Sequence, residues 1–276
     1  MRTHVITGGT DGMGKGLALK FLARGDRVFA LASGQAKGAA LLAEAARLGA
    51  ADRAVFVRAD LATVAGMRKA LAEVTDQTDV VDGLVFGAQR FASKRIETVD
   101  GLEFTFALFY LSRYVLGHGL LPALERADAP VVMNLAGPGG LPGTIYWDDL
   151  QLTSGYQGRR AAMQGSRCVD LLGAAFPLRH PDARTRYVLY NPGFVRTGMA
   201  DPLPPAFKLL TKTLGLVAAQ SVDRAIGPIA ALIDSPPAEP LSAFMRAKRL
   251  PLEGDDFAPD RALRLDSLTA RLLDGL

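Results

Sequence analysis

The 276-residue sequence holds one cysteine, Cys168, and three scattered histidines, His4, His118 and His180. A single thiol excludes an internal disulfide, and the imidazoles fall at no metal-ligand spacing. Neither sign of charge is in large excess. Thirty-two basic and 28 acidic side chains leave +4, with no block of five like charges, so nucleic acid is not an implied partner. No apolar run reaches the roughly 18 residues of a membrane span. Strand-like residues begin at position 3, so no leader is expected, and a cytoplasmic protein without membrane attachment is the expectation. Repeats, low-complexity tracts and long linkers are also lacking, so residues 1–276 are read as one domain. Arginine outnumbers lysine 24 to eight, a composition typical of a GC-rich bacterial genome.

What is present is alternation. Short apolar, β-branched-rich runs (His4 to Thr7, Arg27 to Leu31, Ala54 to Val57, Val81 to Phe86, Pro130 to Leu135, Arg186 to Tyr190) are separated by helical patterns at Lys15 to Arg24, Ala36 to Leu48, Thr63 to Val74 and Leu102 to Arg126. Such βαβ units imply an α/β fold, a doubly wound parallel sheet of the Rossmann type with helices on both faces. Residues 200–215, rich in proline and glycine, read as an irregular insertion. A C-terminal helix is expected over about 260–274, from Leu263, Leu268 and Leu272.

After the first run comes Thr7-Gly8-Gly9-Thr10-Asp11-Gly12-Met13-Gly14-Lys15. Spaced glycines between a strand and a helix let the backbone approach a pyrophosphate, and the helix N-terminus offers free N–H groups and the positive end of its dipole. This motif resembles the cofactor turn of the short-chain dehydrogenases/reductases, and the resemblance extends from residue 3 to about 199. Asp60-Leu61 matches that family's adenine-contacting position. Phe86-Gly87-Ala88-Gln89 stands where relatives carry Asn-Asn-Ala-Gly, so Gln89 replaces a glycine beside the nicotinamide ribose, with Arg90 following it. Asn191-Pro192-Gly193 with Val195-Arg196-Thr197 is similar to the segment that closes over the nicotinamide. Residues 100–107 and Trp147-Asp148-Asp149-Leu150 resemble the retinol-dehydrogenase-like branch.

A fold selective for NAD places a carboxylate at the end of the second strand, to hold the ribose 2′-OH. Here that end reads Ala30-Leu31-Ala32-Ser33-Gly34-Gln35-Ala36-Lys37, with no acid before Glu44. A 2′-phosphate meets no repulsion there, Ser33 can donate to it, and Lys15 or Lys37 can supply charge. NADP(H) is the expected cofactor.

The resemblance also implies four residues that reduce a carbonyl: an asparagine holding a water, a serine and a tyrosine on the substrate oxygen, and a lysine that lowers the tyrosine pKa. Aligned on its neighbours, the serine place falls on Gly137, the tyrosine place on Ala162, the lysine place on Ser166 and the asparagine place on Phe109. Gly155, Tyr156, Gly158, Ala161 and Gln164 hold the register of the helical part. Tyr156 and Arg160 share the i, i+4 spacing of a replacement pair, and with Gln164 they are the candidate catalytic residues. The pocket is expected to include Pro138, Tyr146, Trp147 and Phe194, to be wide and apolar, and to have residues 200–215 as a lid.

Three readings follow. The first is a reductase of a bulky apolar substrate needing little acid assistance (an enone, a quinone or an imine). The second is a non-redox enzyme on the same scaffold (a cyclase, dehydratase or isomerase). The third is a silent NADP-binding protein. Homo-oligomerisation is expected through the helices at about Leu102 to Arg126 and Arg159 to Phe176, the first presenting Phe104, Leu108, Leu111 and Val115.

Overall fold

A computed structural model describes residues 1–138, 142–193, 195 and 220–276. The proposed insertion at 200–215, Phe194, Arg196 and Thr197 lie outside the described residues.

The strands are β1 (Thr3–Thr7), β2 (Arg27–Ala32), β3 (Ala54–Arg58), β4 (Gly83–Phe86), β5 (Val131–Leu135), β6 (Arg186–Asn191), β7 (Leu241–Met245) and β8 (Lys248–Leu250). They form one sheet in the order β3-β2-β1-β4-β5-β6-β7-β8, parallel throughout except for β8 at one edge. Helices α1 (Gly12–Ala23), α2 (Gln35–Arg47) and α8 (Val222–Asp234) cover one face. The other is covered by α3 (Val64–Thr75), α5 (Ser112–Gly119), α7 (Gly158–Arg179) and α9 (Pro259–Asp274). Period-2 alternation feeds both cores. Val5, Leu84, Phe86 and Val132 point to the α7 side, while Ile6, Val85, Val131 and Met133 point to the α1 side. Strands buried on both faces are the mark of a parallel α/β sheet, and the doubly wound Rossmann-type expectation holds.

Two features depart from the expected series. Strands β7 and β8 extend it beyond Tyr190: β7 pairs with β6, and a turn at Arg246, which has a φ of 55°, folds β8 back. The helical stretch from Leu102 to Arg126 is broken. It comprises α4 (Phe104–Phe106), a π-helical turn (Ala107–Leu111), α5, and α6 (Leu121–Leu124), which has a proline in its first turn. Phe104 and Leu108 from this stretch line a cleft, Leu111 is fully buried and Val115 is half-buried.

Candidate functional site

Leaving β1 at Thr7, the chain turns through Gly8 with a φ of +68°, in the left-handed region that favours glycine. A Cβ on Gly8 would stand 3.0 Å from the backbone N of Ala88, and one on Gly14 would come within 2.3 Å of the Gly8 carbonyl oxygen. The turn has no room for side chains at these points, so it presents bare backbone to the space above it. Asp11 caps α1, its Oδ1 accepting from the Gly12 N–H at 2.8 Å. Gly12, Met13 and Gly14 then bring the first turn of α1, whose N–H groups have no intrahelical acceptors, to the wall of a cleft of about 520 Å³.

This cleft opens at the C-terminal edge of the sheet, where the order reverses between β1 and β4, as the switch-point rule requires. On one side it reaches Ser33, Lys37, Asp60 and Leu61, after β2 and β3; on the other it reaches Gly87, Ala88, Gln89 and Leu135, after β4 and at the end of β5. Arg90, Phe104 and Leu108 add an apolar wall with one cation. A dinucleotide suits this shape: a backbone cradle for its pyrophosphate in the middle, and an arm to each side.

Several expected cofactor residues lie elsewhere. Thr7 is buried beneath the turn, its Oγ1 accepting from the N–H groups of Gly87 and Ala88 at 3.1 and 3.2 Å, so it stitches β1 to the end of β4. Thr10 is buried as well. Lys15 does not line the cleft; its Nζ lies 2.6 Å from Glu44 Oε1. Lys37 is in place but engaged, because its Nζ donates to Asp11 Oδ2, and this hydrogen bond holds the Asp11 carboxyl below the usual range. One oxygen of Asp60 accepts from the Ala62 N–H at 3.1 Å. Pro192 and Gly193 form a turn beyond β6, where Gln220 Nε2 donates to the Pro192 carbonyl at 2.7 Å and Val195 bridges to Gln220.

The β4–β5 end of the cleft is backed by a buried cation that the sequence reading missed. Arg113, on α5 just after the π-helical turn, is 1% exposed. Its Nη1 donates to Asn134 Oδ1 and to the Leu135 carbonyl at 3.0 Å, its Nη2 donates to the Ala88 carbonyl at 3.4 Å, and its guanidinium lies 4.2 Å from the centre of the Phe109 ring. Asn134 Nδ2 in turn donates to the Tyr187 hydroxyl at 2.7 Å. Burial pulls the guanidinium pKa down to about 9.

The candidate catalytic side chains are occupied elsewhere. The Tyr156 hydroxyl donates to the Ala92 carbonyl at 3.0 Å and lies 3.3 Å from Glu103 Oε1, outside the cleft lining. Burial and the Glu103 carboxylate raise its pKa, the opposite of what a proton donor needs. Arg160 donates to the Gly155 carbonyl at 2.9 Å and sits over Tyr146. Gln164 is buried with both ends of its amide committed: Oε1 accepts from the Tyr146 N–H and Nε2 donates to the Leu150 carbonyl, each at 2.9 Å. It pins the 146–150 loop. Trp147 packs beneath Arg264 and Arg261 of α9, 4.4 and 5.6 Å from the ring centre, as a loop anchor.

Gly137 and Ser166 do meet, since a Cβ on Gly137 would lie 3.0 Å from Ser166 Oγ. Phe109 packs on Gly165 of α7, one residue from Ser166, and Ala162 is buried one turn earlier. Beside them is a second missed cluster. Arg167 donates to the Gly137 carbonyl at 3.2 Å and to Ser166 Oγ at 3.3 Å, pairs with Asp170 at 2.7 Å and also holds Asp256. Burial pushes the Asp170 carboxyl up to about 7, against the pull of Arg167.

A family model described as short chain dehydrogenase matches residues 2–143, just over half of the chain, and the protein belongs to that family. It is similar to dehydrogenase/reductase SDR family member 12 of Homo sapiens, 28% identical over 205 residues that make up 74% of this chain and 64% of that protein. Retinol dehydrogenase 13 of Homo sapiens is 26% identical over 239 residues, 82% of this chain and 72% of the relative. The chain thus spans a little under two thirds of the length of the family member 12 proteins it matches. Among solved structures, a protein from Mycobacterium Paratuberculosis aligns with a TM-score of 0.72 at 23% identity, over 99% of this chain and 94% of its own. Actinorhodin polyketide ketoreductase with NADPH aligns with a TM-score of 0.66 at 19% identity, over 88% and 95%. Both likenesses concern the fold. Among the described residues no helix is long and apolar enough to cross a membrane, and no cluster of potential ligands could hold a metal ion.

Proposed function

We propose that this protein binds NADP(H) along the cleft and reduces a bulky apolar acceptor that does not need a proton from the enzyme in the same step, such as an enone, a quinone or an imine. The observation that carries the reading is the contrast between the two parts of the site. The backbone cradle is closed to side chains at Gly8 and Gly14, while the tyrosine nearest the expected register, Tyr156, is tied to Ala92 and Glu103. A solved ketoreductase structure with NADPH shares the fold, and the end of β2 carries no carboxylate.

In this reading the α1 N-terminus and the glycine turn hold the pyrophosphate, Ser33 and Lys37 receive the 2′-phosphate, and Asp60 and Leu61 border the adenine. Gly87, Ala88 and Gln89 border the nicotinamide ribose. Bound there, NADPH supplies a hydride. Phe104, Leu108 and Leu135 keep the reacting end apolar and orient a flat substrate by packing, and positioning of this kind supplies much of a barrier when no acid is present. Phe109, Gly137, Ala162 and Ser166, at the places where relatives carry Asn, Ser, Tyr and Lys, offer no group able to deliver a proton to an alkoxide. Reduced quinones and enones are stabilised anions that take the proton from water, and an iminium is already charged. Simple ketones, whose reduction needs an acid worth roughly 10²- to 10⁴-fold, are poor substrates.

The test is a titration with NADPH followed by fluorescence, then turnover of enones, quinones, imines and simple ketones followed by absorbance of the reduced nicotinamide. Binding with consumption by the first three classes and little by ketones is expected. Brisk reduction of simple ketones would overturn the reading, and binding without any consumption would favour the non-redox or silent alternative.

A further inference from the structure

We propose that Arg113 gives the β4–β5 end of the cleft a standing positive charge, which makes the site favour the reduced over the oxidised nicotinamide and favour acceptors that become anions on reduction, quinones and enones, over cationic imines. The inference rests on the NADP(H) reading above and narrows its substrate class.

Two arginines are buried among the described residues, and they are neutralised differently. Arg167 has Asp170 and Asp256. Among the described residues Arg113 is held only by neutral acceptors (the Asn134 amide and the carbonyls of Leu135 and Ala88), and its Nε has no partner. Carbonyl dipoles satisfy the N–H groups but do not cancel the charge, and low surrounding polarizability lets that charge act at longer range than it would in water. Two of the three acceptors, Ala88 and Leu135, belong to residues that line the cleft, so the guanidinium sits directly behind its wall. The guanidinium remains charged at neutral pH, because burial brings it no lower than about 9.

The oxidised nicotinamide ring carries a positive charge and the reduced ring none, so a fixed cation behind the wall weakens binding of the oxidised form alone. The same charge attracts an enolate or a hydroquinone anion as it forms and repels an iminium. Across one layer of protein, at an effective dielectric near 20, such a charge shifts a binding ratio by roughly tenfold.

Asn134→Asp places a carboxylate against the guanidinium with almost no change in shape. The existing Arg113 Nη1 hydrogen bond is kept, and the Tyr187 hydroxyl, which now accepts from Asn134 Nδ2, turns to donate. Wild type, Asn134→Asp, Arg113→Lys and Arg113→Gln are titrated with NADPH and with NADP+, and their quinone-to-imine ratios of kcat/KM are measured. Asn134→Asp and Arg113→Gln are expected to tighten NADP+ relative to NADPH by about tenfold and to shift preference toward imines, while Arg113→Lys keeps both wild-type ratios. Unchanged ratios in a folded Asn134→Asp protein, or equal ratios in Arg113→Lys and Arg113→Gln, would overturn the role of Arg113 and leave the NADP(H) reading standing. Failure of wild type to bind either nucleotide would remove both.

Discussion

Replacing Lys37 tests the cofactor assignment most directly. Its ammonium and the Asp11 carboxylate form an ion pair across the mouth of the cleft, with side chains 63% and 61% exposed. A pair this exposed contributes at most about 1 kcal/mol, so its lysine is readily recruited by a stronger anion. A 2′-phosphate within about 4 Å of an ammonium gains between about 1 kcal/mol at the dielectric of water and about 4 kcal/mol at a dielectric of 20. The exposure of Lys37 puts the gain near the lower end, about 1–2 kcal/mol, or roughly five- to thirtyfold in Kd. Lys37→Ala is therefore expected to weaken NADPH by about that factor and NADH by less than twofold.

Asp11 sharpens the test. Without Lys37 its carboxylate faces the phosphate unpaired, so Lys37→Ala combined with Asp11→Asn should recover part of the lost NADPH affinity. Asparagine serves as well as aspartate at a helix N-cap, so α1 keeps its start in the double variant. Nucleotide fluorescence at low salt gives all the constants, and the lysine effect should shrink at 0.5 M salt, where screening is stronger. If NADPH and NADH weaken equally in Lys37→Ala, or wild type does not discriminate between them, Lys37 does not read the 2′ position.

Two further outcomes follow from burial and hydrogen bonding. Burial lowers the pKa values of His4 and His118 to about 4, below the unfolded value near 6.5, so the unfolded chain binds the extra protons first. Stability is complete above pH 6.5 and falls toward pH 4 by up to about 3 kcal/mol for each histidine, measurable by urea unfolding across that range; a flat profile, or one unaltered in His118→Gln, would refute the assignment. Tyr156→Phe should cost about 0.5–1.5 kcal/mol of stability through the lost Ala92 and Glu103 contacts, with turnover changed less than twofold. A hundredfold loss of kcat at unchanged Tm would restore Tyr156 as the acid.

The cradle was legible in the sequence because its cause is local. Gly8 and Gly14 are fixed by the path of the backbone and by two close approaches, and both constraints leave glycine in the sequence at set spacing. The six strand runs were legible for a similar reason, since strands buried on both faces read as continuous apolar runs. Strands β7 and β8 were not. Leu241–Met245 is a mixed LSAFM run and Lys248–Leu250 has three residues, so pairing with β6 and a tight turn make them strands, not their own composition. The π-helical turn at Ala107–Leu111 breaks a pattern that looks helical throughout. Arg113 escaped for a tertiary reason, because its acceptors come from β5 and the loop after β4. Its only trace is a charge four residues after Phe109, within an otherwise apolar stretch.

The positions proposed to correspond to the family's serine, tyrosine and lysine can be tested together through Gly137→Ser, Ala162→Tyr and Ser166→Lys. Gly137 and Ser166 are close enough for the first and third new side chains to meet, so the geometry for a shared site exists. Its surroundings have changed, however. The new ammonium would enter a buried place beside Arg167, whose two carboxylate partners are already engaged, and a tyrosine at Ala162 must displace neighbours in a packed core. Overpacking alone costs about 1–3 kcal/mol, so a lower Tm is expected even if the chemistry returns. Repulsion from Arg167 holds the new lysine pKa down, weakening its power to acidify the tyrosine. Simple-ketone reduction should rise by about 10²-fold over wild type, toward the lower end of what a positioned acid supplies. A triple variant with native circular dichroism, bound NADPH and no gain on ketones would show that these three positions do not converge on one substrate oxygen.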